Sequence, residues 1–448
     1  MKYPLLLKSL TIGLLMLLLL IPIAMISSSI DDRQYYSKSV LSDIAKSSSY
    51  SQTITGPVLV VPYTKIIRTV KYNDKHEKEI EESQVSGNLK FLPEVFDLNG
   101  DLKTELRKRG IYAARLYHVD SQLSGKFIIP KNFGIQSALE DYTFSKPYMA
   151  LGISDIRGID NSLTMTINGK KYPMEPGARL NVLASGVHAK IKGIEFNQQT
   201  SLTFLLQLKL TGTESFSVTP MGKETRVNIH SDWPHPKFFG NFLPIESSIS
   251  EAGFNANWQT SFFATNMQEE FMQCANRNNC GNFSDKQFGV DFIDPVDQYV
   301  KSDRAIKYAI LFIGLTFACF FLFEIMKRLQ VHAVQYTLVG LALAFFYLLL
   351  LSLSEHIGFN KAYLISASAC VSLIGFYVCF VLRSVMRGFG FTLGLSLLYG
   401  LLFGLLSAED YALLMGSVLL FSILAVVMML TRNIDWYSIG MKSNSEGV

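Results

Sequence analysis

The apolar segments of this chain are distributed unevenly, and their positions limit the folds that it can adopt. One segment, residues 9–30, contains "LLMLLLLIPIAMI". Five more crowd the last third of the chain, at 305–326, 332–353, 362–382, 388–406 and 410–430. Each is long enough to cross the hydrocarbon core of a bilayer as a helix, which takes about 20 residues. We therefore predict one N-terminal transmembrane helix and a C-terminal bundle of five transmembrane helices.

Lysine and arginine in the short loops predict how these helices are oriented, because such residues favour the cytoplasmic side. They cluster before the first span and after the second, fourth and sixth spans, as Lys2, Lys8, Lys327, Arg328, Arg383, Arg387 and Arg432. We therefore expect both termini, residues 1–8 and 431–448, in the cytoplasm and residues 31–304 outside it. The first apolar core, 10–26, exceeds the usual length in a cleaved signal peptide, so we expect an uncleaved anchor.

Composition agrees with a chain of which a large fraction does not face water. Only 17% of the residues are charged, compared with about 25% in an average soluble protein. The net charge of +4 is small for 448 residues and gives no reason to expect nucleic acid as a partner. Walker, nucleophile-elbow and HExxH motifs are absent from the sequence. We expect the lipid bilayer as a partner and no cofactor, and the oligomeric state is not predicted.

The region between the first two spans, residues 31–304, is predicted to form a mainly antiparallel, sandwich-like β domain. In "SLTFLLQLKLTG", apolar and polar residues alternate from Leu202 to Leu210, which is the period of a half-buried strand. The alternation in "SLTMTINGKKYPM" runs into Asn168-Gly169, a pair that favours a two-residue hairpin turn. The earlier stretch "DDRQYYSKSVLSDIAKSS" has helical spacing, so we expect it to continue the helix of the anchor.

The stretch "NIHSDWPHPKFF" places His230, Asp232 and His235 close together in sequence. Alternation puts His230 and Asp232 side by side on the polar face of a strand, and the prolines that follow end the strand. A zinc site requires three or four ligands that converge on one point, and this spacing matches no such signature. We interpret the stretch as a solvated strand face and turn. A metal or catalytic site and a binding surface are the alternatives.

Two cysteines, Cys274 and Cys280, lie in the region predicted to be outside the cytoplasm, within "CANRNNC". In an oxidising compartment such a pair favours a disulfide. Free thiols and a metal site are the alternatives, although no histidine stands nearby to complete a metal site.

Polar residues inside or at the ends of membrane spans are candidates for function. Glu355 and His356 lie at the outer end of the third span, in "LSLSEHIGF". They predict either a capped helix end in the membrane interface or a polar site that faces the domain outside. Glu324 stands a turn from Lys327 and Arg328, so we expect its carboxylate to reach the cytoplasmic headgroups.

The fifth span carries Gly390, Gly394, Gly400 and Gly404 on about one third of the helix circumference. Small residues spaced in this way favour close helix packing, so we predict that the four glycines form a helix–helix contact. The spans show no pair of buried acids, no arginine ladder and no broken helix. An ion-coupled transporter is therefore weakly supported.

Several long segments resemble the CreD family of inner-membrane proteins over nearly the whole chain. They are "DDRQYYSKSVLSDIAKSSS", "TGPVLVVPYT", "SDWPHPKFFGNFLP", "GFNANWQTSFFATN", "DQYVKSDRAIKYAILFIGLTFACFFLFE", "QYTLVGLALAFFYLLLLSLSEHIGF" and "TRNIDWYSIG". The resemblance implies the cell inner membrane of a two-membrane bacterium, with residues 31–304 in the periplasm. It also implies production within a two-component regulon and a role in cell envelope integrity under β-lactam or colicin stress. No catalytic residue is implied.

Three functions remain open from the sequence. The first is a non-enzymatic protein for envelope maintenance, whose periplasmic domain binds a periplasmic protein, a glycan or another cell-wall component. The second is a membrane component for transport or lipid handling. The third is a periplasmic metal-dependent hydrolase that uses His230, Asp232 and His235.

Overall fold

The structure is a computed structural model of the full chain. It describes residues 4–72, 78–136, 138–192, 194, 197–277, 280–292, 298–327, 331–382, 384–407 and 412–432. Residues 1–3 of the predicted N-terminal segment and 433–448 of the predicted tail lie outside the described residues. The chain divides into two compact units. We call Met1–Lys38 with Val296–Val448 the helical unit, and Ser39–Pro295 the β domain.

The helices belong mainly to the helical unit, and short ones occur in the β domain. In chain order they are α1 (Pro4–Ser47), α2 (Phe262–Thr265), α3 (Met267–Arg277), α4 (Gly281–Ser284), α5 (Gln298–Lys307), α6 (Ala309–Lys327), α7 (Ala333–Ile357), α8 (Phe359–Val381), α9 (Val385–Ser407) and α10 (Ala412–Thr431). Short 3₁₀ helices cover Lys131–Gly134, Leu139–Asp141 and Ile156–Gly158. The predicted continuation of the anchor is confirmed, because α1 is helical to Ser47.

The strands all lie in the β domain. They are β1 (Gln52–Tyr72), β2 (Lys78–Phe91), β3 (Val95–Arg109), β4 (Tyr112–Ile129), β5 (Tyr142–Phe144), β6 (Tyr148–Ile153), β7 (Thr164–Ile167), β8 (Lys170–Pro173), β9 (Glu175–Pro176), β10 (Gly186–Lys190), β11 (Thr200–Thr213), β12 (Ser215–Thr219), β13 (Glu224–Ser231), β14 (Lys237–Gly240), β15 (Glu246–Ser250), β16 (Gly253–Ser261) and β17 (Phe288–Asp291).

Within the described ranges these strands form two sheets. The first has the order β14-β17-β12-β1-β6-β10-β9, with β2 and β5 also paired to β1. The second has the order β15-β16-β13-β3-β4-β11-β7-β8. Most neighbours are antiparallel, as predicted, but β1 pairs with β12 and β3 pairs with β13 in parallel. The mainly-β fold of this domain is therefore confirmed.

One hydrophobic core joins the inner faces of the two sheets. It contains Ile54 and Leu59 of β1 together with Phe96 of β3 and Trp258 of β16, and each of these side chains is fully buried. Side chains from both sheets interdigitate in this layer, which is the arrangement of a β-sandwich. The polar residues that alternate with the core residues therefore lie on the outer face of the second sheet.

Local patterns explain individual elements of the β domain. Strand β13 alternates exposed and buried side chains along its whole length, so Ile229 points to the core and His230 points to solvent, as predicted. The predicted hairpin is also present, since β7 and β8 pair on either side of Asn168 and Gly169. Both turn residues have positive φ, which is the conformation that a type I′ turn requires.

A charged cluster holds the start of β1 against the loop after β6. The Asp155 carboxylate accepts hydrogen bonds from Arg157 Nε at 2.9 Å and Nη2 at 2.6 Å. It also accepts one from the Tyr50 backbone N–H at 3.2 Å. The hydrogen bonds from the Arg157 side chain are the main reason that the pKa of Asp155 lies below its ordinary value.

Within the described part of the chain, four helices are long and apolar enough to cross a membrane: α1, over Leu7–Ser47, and α7, α8 and α9. This confirms the N-terminal apolar helix and three C-terminal apolar helices. Helices α5 and α6 pass the same test only as a pair, in which they are bent by 43°. The total of five C-terminal spans stays a prediction.

The bend falls at residue 308, close to the start of the second span predicted at 305–326. Four of the ten residues of α5 are charged, whereas α6 is apolar, so the two helices prefer different surroundings. At the junction the Tyr308 N–H bonds to the Ala305 carbonyl three residues earlier, at 3.2 Å, which tightens the turn. No proline or glycine is needed to produce this break.

Candidate functional site

The structure separates the three polar side chains of the "NIHSDWPHPKFF" stretch. His230 Nδ1 lies 2.7 Å from Asp101 Oδ1 on the neighbouring strand β3. Asp232 Oδ1 accepts a hydrogen bond from the Thr104 backbone N–H at 2.9 Å. His235 packs edge-on against the Trp233 ring, with the centroids 5.5 Å apart. The three side chains therefore have separate partners, and nothing in their geometry favours the hydrolase hypothesis.

Among the residues that the structure describes, no three or more His, Cys, Asp or Glu side chains are grouped so that they could hold a metal ion. Cys274 and Cys280 are joined to each other in a disulfide. Cys274 is buried against Phe271 and Met267 in a small hydrophobic cluster, so the bridge closes the loop from α3 to α4 beside a packed core.

Glu355 and His356, predicted as a pair at the end of the third span, face different surroundings. The Glu355 carboxylate accepts a hydrogen bond from the Tyr299 hydroxyl at 3.2 Å and lies 3.7 Å from Arg33 Nε. Its side chain is only 7% exposed. His356 is exposed, and its Nδ1 lies 3.1 Å from the Ser352 carbonyl of its own helix. Glu355 therefore links α7 to α5 and α1, whereas His356 lies in the last turn of α7 and bonds within that helix.

The sequence predicted that the Glu324 carboxylate reaches the headgroups near Lys327 and Arg328, but the structure places this side chain differently. It is buried, and its carboxylate forms an ion pair with Lys8 of α1. The same carboxylate accepts hydrogen bonds from the Val331 N–H and the Tyr336 hydroxyl, each at 3.0 Å. Lys8 also donates to the Val331 carbonyl at 3.0 Å. Polar groups of four residues, Lys8, Glu324, Val331 and Tyr336, thus satisfy one another within the helical unit.

The four glycines predicted to form a helix–helix contact on α9 differ in their surroundings. A Cβ atom built on Gly390, Gly394 or Gly400 meets nothing within 4 Å among the described atoms, whereas one on Gly404 would lie in ordinary contact with Met415, at 3.8 Å. Gly390, Gly394 and Gly400 therefore leave open space beside the helix.

The glycines that do allow close packing lie elsewhere. A Cβ on Gly388 would stand 2.7 Å from the Cys379 backbone, and one on Gly375 would stand 2.4 Å from the Thr392 hydroxyl. Helical periodicity selects a face of the helix but does not say whether another helix covers it.

A row of side-chain amides, which no local sequence pattern marks, crosses the outer face of the second sheet. The strand register sets Asn257, Asn228, Asn99, Gln122 and Gln207 opposite one another on five neighbouring strands, β16, β13, β3, β4 and β11. We call these five residues the amide row. At a strand spacing of about 4.8 Å, the row is about 19 Å long.

One end of the amide row lies in a groove of about 470 Å³. The groove is lined by Asn257, Asn228 and Asn99, by Arg226 and Asp97 in the next row of the sheet, and by residues of the edge strand β15 and its approach. Each amide occupies one polar position of an alternating strand, so a single strand gives no sign of the row. Only the pairing of the strands reveals it.

Two solved structures are similar to part of the chain at a low level. The M1 zinc metallopeptidase from Deinococcus radiodurans has a TM-score of 0.20 and 7% identity, over 38% of this chain and 38% of that chain. The native yeast LTA4 hydrolase has a TM-score of 0.19 and 11% identity, over 50% of this chain and 35% of that chain. The chain therefore spans well under half of either structure, and likeness at this level supports no functional argument.

Comparison of whole sequences is far more specific. The family model described as "Inner membrane protein CreD" matches residues 4–437. The protein named "Inner membrane protein CreD" from Escherichia coli (strain K12) is 38% identical over 449 residues, which cover 100% of this chain and 97% of that protein. The several apolar helices of the helical unit agree with a multi-pass protein of the inner membrane. The chain belongs to the CreD family of inner membrane proteins.

Proposed function

We propose that this CreD-family protein maintains the cell envelope under stress as a non-enzymatic component. In this proposal both termini are cytoplasmic, and residues 31–304 lie in the periplasm. The β domain binds a partner protein or a component of the envelope, and the helical unit anchors it in the inner membrane. The observation that carries the proposal is the groove of about 470 Å³ on the outer face of the second sheet.

The groove suits binding because its lining side chains stand on paired strands. Asn257, Asn228 and Asn99 are fixed relative to one another by the backbone hydrogen bonds of β16, β13 and β3. A site built on such a sheet is rigid before it meets a ligand, so little conformational entropy is lost on binding. By contrast, His230 and Asp232 of the "NIHSDWPHPKFF" stretch already have partners within the domain.

Crosslinking in living cells tests the proposed binding role. A photoreactive amino acid placed at Asn257, in the groove, is expected to capture a defined envelope protein or cell-wall fragment. The matched control is the same amino acid at Gln84, an exposed position on β2 in the other sheet. Equal or absent capture from the two positions, together with wild-type survival of a deletion strain under β-lactam stress, would contradict the proposal.

The proposed topology has its own test. Phe263 is 94% exposed in the β domain, so a cysteine at this position is expected to react with a membrane-impermeant maleimide in intact spheroplasts. A cysteine placed at the N-terminus is expected to react only after the membrane is lysed. The reverse labelling pattern would refute the proposed orientation.

A second candidate function, lipid handling, has one observation in its favour. A groove of about 400 Å³ lies between α7 and α8 and is lined mainly by apolar side chains. The Ser366 hydroxyl in its lining is fully buried and has no hydrogen-bond partner among the described residues. Such a groove fits an acyl chain with a polar group near Ser366.

Lipid movement in proteoliposomes tests this second function. Ala369→Trp is expected to fill the groove and to abolish any lipid transfer between leaflets, because Ala369 is part of its lining. Leu393→Trp, on the exposed surface of α9, is the matched control. Transfer that is absent from the wild type, or equal in the two variants, would eliminate the lipid-handling function.

A further inference from the structure

We propose that the amide row binds an extended, uncharged glycan chain with β-1,4 linkages. This inference rests on the proposed binding function of the β domain and names the ligand class and the site. Its basis is the juxtaposition of five side-chain amides on five neighbouring strands, with a groove at one end of the row.

Three consecutive amides at one end of the row are available to a ligand. Among the described residues, the side chains of Asn99, Asn228 and Asn257 make no hydrogen bond within the protein, whereas Gln207 Nε2 donates to Gln122 Oε1 at 2.9 Å. Each free amide offers two N–H donors and a carbonyl oxygen with two lone pairs. A sugar hydroxyl both donates and accepts, and an acetamido group does the same. Such a ligand therefore matches the donors and acceptors of Asn257, Asn228 and Asn99.

The spacing of the row suits a repeating ligand. Side chains directly opposite each other on paired strands recur about every 4.8 Å across the sheet. A β-1,4-linked glycan is extended and advances by a similar distance with each sugar, so successive sugars can meet successive amides. Ile245 lines the same groove and is 66% exposed, which gives the C–H face of a sugar ring an apolar contact.

The charges around the groove argue against a polyanion. Asp97 and Glu246 contribute two carboxylates to its lining. The Arg226 guanidinium donates to Glu224 at 3.3 Å and lies 3.8 Å from Asp97, so its charge is offset by its neighbours. Nucleic acids and teichoic-type polymers require an excess of positive charge that this groove does not have.

An extended peptide fits the row less well than a glycan does. Peptides that bind sheets usually add a strand at an edge and pair through the main chain. At the amide row, the main-chain groups of β13, β3 and β4 are already paired on both sides within the sheet, because these strands are interior. A peptide lying across them could not pair through its main chain and would have to bind through side chains alone.

The test is binding of soluble oligosaccharides to the full chain in lipid nanodiscs, measured by calorimetry. Nanodiscs avoid maltoside detergents, whose sugar headgroups would compete. Chitopentaose and cellopentaose are the probes, and they distinguish a chain with acetamido groups from one with hydroxyls alone. Maltopentaose, which is α-linked and curved, is the ligand control. We expect at least one β-linked probe to bind and maltopentaose to bind about tenfold more weakly, equivalent to about one lost hydrogen bond.

Substitutions locate the site. Asn228→Ala is expected to weaken binding of the β-linked probe about tenfold, and Gln84→Ala on the other sheet is expected to leave it unchanged. If Asn228→Ala does not fold, Asn257→Ala on the next strand replaces it. Absence of binding by both β-linked probes, or equal binding by Asn228→Ala and the wild type, overturns the inference.

Crosslinking separates the failure of this inference from that of the proposed function. A protein captured specifically from position 257, without oligosaccharide binding, overturns the glycan and leaves a binding role for the β domain. Absence of both capture and oligosaccharide binding overturns both.

Discussion

The ion pair between Lys8 and Glu324 predicts that removal of its two partners has unequal effects. The Glu324 side chain is 8% exposed, whereas the Lys8 side chain is 30% exposed. Lys8→Met removes the cationic partner of the buried Glu324 carboxylate and leaves it only the neutral donors of Val331 and Tyr336. Such a loss costs about 3 kcal/mol of unfolding free energy, the lower end of the range for a broken buried pair, because those two hydrogen bonds remain.

Glu324→Gln is expected to cost less. The Lys8 ammonium keeps its hydrogen bond to the Val331 carbonyl and can turn toward water. The glutamine carbonyl can still accept from one of the two donors that Glu324 now serves. We expect a loss of about 1 kcal/mol, the usual net value of one hydrogen bond.

The double variant, Lys8→Met with Glu324→Gln, tests the coupling directly. It leaves no stranded charge, so we expect it to be about as stable as Glu324→Gln alone, which corresponds to a coupling energy of about 3 kcal/mol. The measurement is equilibrium unfolding of the purified protein in mixed micelles by added SDS. Lys38→Met, an exposed lysine on the same helix, is the control. Additive losses, or a loss in Lys8→Met no larger than in Lys38→Met, would refute the buried pairing.

Three further predictions concern stability. The folded-state pKa of Asp155 lies below its ordinary value, so the ionised carboxylate stabilises the fold above about pH 4. This stabilisation is lost as the pH falls through the folded pKa. The unfolding free energy measured against pH should show this loss in the wild type and not in Asp155→Asn. Replacing Cys274 and Cys280 by serine should lower the unfolding free energy by about 2 kcal/mol, and a reductant should do the same to the wild type only. Gly388→Ala should lower the melting temperature because the new Cβ meets the backbone of α8. Gly394→Ala should leave the melting temperature unchanged or raise it, since alanine favours a helix over glycine by about 1 kcal/mol. Equal shifts in the two variants would contradict the packing described for α9.

Features set by local patterns were predictable from the sequence. The alternation around Ile229 defines which side of β13 is buried, and Asn168-Gly169 defines a hairpin, because each depends on residues that are adjacent in the chain. The span positions follow from hydrophobicity over about 20 residues. The break at Tyr308 was missed because charged α5 and apolar α6 are both helical, and the pattern changes without a proline or glycine to mark it.

Features that depend on distant pairing were not predictable. The partner of Glu324 is 316 residues away in sequence, so the nearby Lys327 and Arg328 were the only cations that local reasoning could consider. The amide row depends on the register of five strands, and no strand carries more than one of its members. The open side of Gly394 depends on where the other helices lie, which the spacing of glycines alone does not specify.

The amide row carries no net charge, and this determines the ionic strength and pH at which its contacts with a ligand would persist. Attraction between ions weakens within about 10 Å at ordinary ionic strength, whereas hydrogen bonds between uncharged partners are not screened in this way. Neither an amide nor a sugar hydroxyl changes its protonation between acid and mildly alkaline conditions. A ligand held along Asn257, Asn228 and Asn99 would stay bound through osmotic shocks, salt surges and acidification that release partners held by opposite charge.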